Sequence, residues 1–129
     1  MHTLESDRLL QESPRMSTNT QARPAFGTVL ADQMAIATYR DGRWSDYQVK
    51  PTAPIEIHPA AHVLHYASEC FEGFKAYRWA DGSVRVFRMD KHVERMRQSA
   101  RLLVLPVPDA EQLAKMVLAT IDRVRDQVP

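Results

Sequence analysis

The chain is predicted to fold as an α+β domain, antiparallel β-hairpins packed with two C-terminal helices. Three observations predict it. Asp41-Gly42 and Asp81-Gly82 each separate two strand-like runs, and Asp-Gly suits the tight turns that close hairpins. Beyond the second hairpin the apolar residues change from alternation to helical spacing. Pro106 and Pro108 then cut that helical region in two.

In chain order, residues 1–24 are polar and mixed in charge, with little apolar periodicity, and are expected to form an arm that is flexible unless docked. The domain is expected to occupy residues 25–129, with order starting near Phe26-Gly27. Met34 to Arg40 reads as a strand and Trp44 to Val49 as its return, ended by Pro51 and Pro54. Ile55-Glu56-Ile57 reads as a short extended piece. Residues 59–69 are expected to hold a short helix, since Pro59 suits a helix start. Phe71 to Trp79 alternates and is expected to be a strand, pairing back with Ser83 to Arg88. Asp90 is the expected N-cap of the next helix, on which Val93, Met96, Ala100, Leu103 and Val104 share a face. Asp109 caps the last helix, with Gln112 three residues on as in a capping box. Leu113, Met116, Val117, Thr120, Ile121 and Val124 form its stripe. With no strand to follow, one sheet face or edge is expected to stay uncovered.

Composition narrows the function. Of 129 residues, 44% are hydrophobic and 26% charged, which is ordinary for a globular domain. The net charge of +1 gives no global field for nucleic acid or an anionic membrane, so neither partner is expected. No apolar run nears the length of a membrane span, and no hydrophobic signal segment opens the chain. The single cysteine, Cys70, allows no internal disulfide and fits a cytoplasmic setting.

Few side chains stand out for chemistry. Arg95 lies one step off an apolar helical stripe. It is either a solvated arginine paired with Glu94 or Asp90, or a binder of phosphate or carboxylate through its fixed fork of donors. Tyr66 and Phe71 are either core aromatics or walls of an apolar pocket. His58, His62 and His65 have helical spacing, but no carboxylate or cysteine completes a metal set, and no metal is expected. Cys70 near His62 or His65 has the makings of a nucleophile and base, against the simpler reading of a buried small hydrophobe.

The runs His65-Tyr66-Ala67-Ser68-Glu69-Cys70-Phe71-Glu72-Gly73 and Val86-Phe87-Arg88, followed by His92-Val93-Glu94-Arg95-Met96, resemble the small domain of branched-chain amino acid aminotransferases. These are fold-type IV, or class IV, pyridoxal phosphate enzymes. The resemblance covers roughly residues 26–128. Phe26 to Met34 resembles the family's entry segment, with Gln33 where histidine is more usual. That longer entry favours the branched-chain enzymes over D-amino acid aminotransferases and aminodeoxychorismate lyases. The resemblance implies that Arg95 binds the cofactor phosphate and that Tyr66 and Phe71 line the substrate side. Glu72-Gly73 is read as structural. Ala67 stands where glycine is usual, so either the backbone there is ordinary or the local turn differs.

The four lysines are Lys50, Lys75, Lys91 and Lys115. None has a context like the family's Schiff-base lysine, which belongs to a second, larger domain, and Lys75 is not assigned that role. The expectation is an N-terminal part of an enzyme that exchanges amino groups between Leu, Ile or Val and 2-oxoglutarate. It is expected to lack the lysine-bearing domain and to be inactive alone. Its partners would be an amino acid, a 2-oxo acid and, as the resemblance implies, copies of itself. Two alternatives stand: a non-catalytic dimerisation or binding module, and another class IV pyridoxal phosphate enzyme.

Overall fold

The structure, a computed structural model, describes Ala25 and residues 27–129. The predicted arm, residues 1–24, and Phe26 lie outside the described residues. The remainder is α+β, as its patterning predicts. Strands β1 (Gln33–Ile36), β2 (Tyr39–Arg40), β3 (Arg43–Trp44) and β4 (Gln48–Pro51) come first. Helix α1 (His62–Tyr66), strands β5 (Ala76–Arg78) and β6 (Val84–Val86), and helices α2 (Met89–Leu102) and α3 (Ala110–Arg123) follow.

The predicted Met34–Arg40 strand is broken in two, and so is its return. Asp41 (φ 53°) and Gly42 (φ 78°) close the inner β2–β3 pair, both at positive φ as a type I′ turn demands. Tyr39 pairs with Trp44, and Ser45 N–H donates to the Thr38 carbonyl at 2.8 Å. Farther out Ile36 pairs with Gln48. Ala37 therefore lies opposite both Asp46 and Tyr47, a bulge of one residue that interrupts the ladder. The Ser45 hydroxyl fills the gap by accepting from Thr38 N–H at 3.0 Å. The inner pair is tied to the helices by Trp44 Nε1, which donates to the Val107 carbonyl, and by Gln112 Nε2, which donates to Ser45 O at 2.7 Å.

Asp109 caps α3 as predicted, accepting from Gln112 N–H at 2.8 Å. The reciprocal half of the capping box is not formed among the described residues; the Gln112 side chain instead reaches across to Ser45 O through Nε2. The start of α2 differs from expectation. Its N-cap is Arg88, at φ 51°, and Asp90 sits inside the first turn, 3.6 Å from the Arg88 guanidinium. The far end differs too. Leu103 is the C-cap and Val104 adopts φ 55°, so both are exposed rather than on the packed face. Ile55–Ile57 forms no strand, and α1 is shorter than residues 59–69.

Helix α3 packs on β1 and β4 and against α2. Five residues of its predicted stripe, Leu113, Met116, Val117, Thr120 and Ile121, face Ala35 and Phe74 across an open apolar groove of about 320 Å³. Among the described residues only Val93 and Ala100, both on α2, are buried. Several apolar side chains outside the strands, Val29, Leu30, Tyr66, Phe71 and Phe87, are exposed.

Ala67 ends α1 at φ 48°, ψ 38°, the left-handed conformation that glycine adopts without strain. The turn is thus the glycine-type turn, built with alanine. An alanine there costs about 1–2 kcal/mol, part of which glycine gives back through its freer unfolded chain. Ala67→Gly is therefore expected to stabilise the domain by about 0.5–1 kcal/mol in urea unfolding. A destabilised variant would show that residue 67 is not held at positive φ.

Candidate functional site

The segment from Cys70 to Lys75 makes no ladder, contrary to the predicted strand from Phe71, yet its side chains alternate as the sequence pattern requires. Cys70 Sγ lies 3.8 Å from Met96 Sδ, Glu72 reaches His92 and Arg95, and the Phe74 ring sits 5.4 Å from the His92 ring. Those three face α2, whereas Phe71, Gly73 and Lys75 face outward and are exposed. His92, Arg95 and Met96 receive them because i, i+3 and i+4 share one side of a helix.

Arg95 is 64% exposed at its side chain and Glu72 only 8%. Arg95 Nε donates to Glu72 Oε2 at 2.5 Å, and Nη2 donates to Oε1, so one edge of the guanidinium grips the carboxylate. His92 Nδ1 lies 2.8 Å from the same Oε1. The bond from Arg95, then the contact with His92, pulls the Glu72 carboxyl from its ordinary 4.5 down to about 2. The same bond raises the Arg95 pKa further. The local partners expected for Arg95 are otherwise engaged. Asp90 pairs with Arg88, and Glu94 binds Arg97 and Arg101.

A depressed carboxyl contributes stability that is complete above its unfolded pKa and is lost as pH falls through the folded one. For Glu72 that window runs from 4.5 down to about 2. Acid melting curves are expected to show wild type losing more stability across this window than Glu72→Gln. Parallel losses in the two chains would mean that the pairing is not formed in solution.

Tyr66, the last residue of α1, is 74% exposed, its ring 5.2 Å from the His62 ring. Phe71 is 83% exposed and lies over Gly73, where an added Cβ would stand 3.4 Å from the ring's Cζ. Neither aromatic is core. Among the described residues no hydrogen bond or ring contact joins them to Arg95. Sequence reasoning missed Glu72 as the partner of Arg95. The signal was there: residues 70, 72 and 74 alternate toward one side, and 92, 95 and 96 share a helical face.

The other candidates are occupied locally. His58 Nδ1 accepts from Ala60 N–H, and His65 Nε2 lies 2.6 Å from the Pro59 carbonyl. No three His, Cys, Asp or Glu side chains among the described residues gather as a metal site. Cys70 is half-buried against Met96, with neither histidine bonded to it. All four lysines are exposed, and Lys115 is paired with Glu111, which raises its pKa.

Residues 69–128 match the family model of the class IV amino-transferases. The chain is similar to the branched-chain-amino-acid aminotransferase of Mycobacterium tuberculosis (strain ATCC 25618 / H37Rv), 53% identical over 89 residues, which are 67% of this chain and 24% of that one. It is similar to the cytosolic branched-chain-amino-acid aminotransferase of Mus musculus, 40% identical over 105 residues, 81% of this chain and 27% of the mouse protein. A third relative is the chloroplastic branched-chain-amino-acid aminotransferase 5 of Arabidopsis thaliana, 41% identical over 97 residues, 74% of this chain and 23% of the plant protein. The chain spans about a quarter of the length of these relatives.

Proposed function

We propose, from the premise that the chain belongs through residues 69–128 to the class IV aminotransferases, that it is the N-terminal small domain of a branched-chain aminotransferase. The reaction of the whole enzyme would move an amino group between Leu, Ile or Val and 2-oxoglutarate. The names of the relatives support that substrate class.

The observation that carries the reading is Arg95, inside the matched segment. It is exposed on α2, with one guanidinium edge on Glu72 and the Nη1–Nη2 edge unengaged among the described residues. A free guanidinium edge suits a phosphate, so the residue fits the anionic end of pyridoxal phosphate. When bound, that cofactor supplies the electron sink for transamination. Arg95 would hold its phosphate, and Tyr66 and Phe71 would offer apolar surface to a branched side chain. Burying each methylene there is worth about 0.8 kcal/mol. Both rings being exposed fits a half-site completed by another surface. That surface is a lysine-bearing domain, a second copy of the chain, or both, in a homo-oligomer. The cytosolic naming of mouse, rat and nematode relatives supports a cytoplasmic setting. No helix of the described residues is long and apolar enough to cross a membrane.

The purified chain is expected to show no transamination of leucine with 2-oxoglutarate. Co-expressed with the portion of the mycobacterial relative that follows the matched residues, it is expected to restore activity, and Arg95→Ala to remove it. A rate from the chain alone that Arg95→Ala abolishes would overturn the half-site. Failure of the pair, where the relative's own N-terminal part succeeds, would favour a non-catalytic module.

A further inference from the structure

Resting on the phosphate role of Arg95, we infer that Glu72 is a positioning residue for that arginine. It grips the Nε–Nη2 edge of the guanidinium and so presents the Nη1–Nη2 edge to a phosphate. Two observations carry this. Glu72 is itself fixed before it fixes anything. Its carboxylate is 8% exposed, His92 Nδ1 lies 2.8 Å from Oε1, and the His92 ring is backed by Phe74. Arg95, by contrast, is a long exposed side chain with no other partner among the described residues. An arginine in that state sweeps many rotamers, and ordering it at the moment of binding costs affinity. A carboxylate already held in place on its side edge orders it in advance, and the end edge keeps one N–H from each terminal nitrogen for bidentate contact.

The carboxylate also has an opposite effect, because its charge offsets part of the attraction between Arg95 and an anion. The geometry decides between the two. Glu72 takes the edge that the phosphate does not need, and α2 together with His92 keeps it there. Ordering therefore outweighs neutralisation.

The test uses the 129-residue chain, labelled with nitrogen-15, titrated with inorganic phosphate and with pyridoxal 5′-phosphate. Arginine side-chain resonances and binding constants are read together. In wild type the Arg95 Nε–H signal is expected to be sharp and slow to exchange without ligand. Phosphate is expected to move the Arg95 Nη signals and leave Nε–H in place. Glu72→Gln is expected to lose the slow Nε–H signal and to bind both ligands about tenfold more weakly, with partial recovery in Glu72→Asp. Equal or tighter binding by Glu72→Gln, while Arg95→Ala weakens it, would overturn the positioning role alone. Unchanged binding by Arg95→Ala would overturn the phosphate assignment and the positioning role with it. If Glu72→Gln fails to fold, the wild-type titration still decides. An Nε–H signal displaced by phosphate means that the carboxylate lets go, and the inference is wrong.

Discussion

Mixed with pyridoxal phosphate and reduced with borohydride, the 129-residue chain is expected to yield no stoichiometric lysyl adduct. An aldimine forms from a neutral amine, and an ordinary lysine near pKa 10.4 is roughly one part in a thousand neutral at pH 7. Enzymes correct this by desolvating the lysine or placing it beside another cation. Lys50, Lys75 and Lys91 are exposed rather than desolvated, and Lys115 is shifted the wrong way by Glu111. Mass spectrometry after reduction is expected to find only scattered, substoichiometric labelling. A single full adduct at Lys75, the residue just before β5, would show that the chain supplies its own Schiff-base lysine.

Ala100→Leu is expected to lower the thermal midpoint by roughly 5–20 °C, read by circular dichroism at 222 nm. Ala100 is 2% exposed, and Val93, at 9%, is the one other buried residue among those described. Adding methylenes to a filled site costs about 1–3 kcal/mol, because neighbours leave their rotamers or the backbone shifts. Here the helix cannot yield easily. The Ala100 carbonyl accepts from Leu105 N–H at 2.8 Å, which helps set the turn into α3. A core this small has little reserve to absorb the strain. An unchanged midpoint would mean that the packing around Ala100 is loose in solution.

Legibility followed the range of the interactions. The Asp41-Gly42 turn, the Asp109 cap and the α3 stripe depend on residues a few positions apart, and sequence pattern predicted each. The start of α2 did not follow. Asp90 has the chemistry of an N-cap, but its carboxylate sits by Arg88, and the helix opens two residues earlier, with Arg88 as its N-cap. Arg95 shows the same limit at the site. Acids nearby in sequence were the natural partners, whereas the one it binds is 23 positions away. That partnership depends on the 70–75 segment lying along α2, which alternation alone does not reveal. Tyr66 and Phe71 were open between core and pocket, and their exposure rules out core.

The bulge at Ala37 also bears on how this chain can change length. The return side, through Asp46 and Tyr47, carries one residue more than the outgoing side. Loss of Asp46 leaves every cross-strand pair of both ladders intact and simply regularises the hairpin. Loss of Ala37 instead leaves two residues facing none and doubles the mismatch. Gaps in aligned homologous chains are thus expected on one side of this hairpin only, since a single codon is spare on the return side and none on the other.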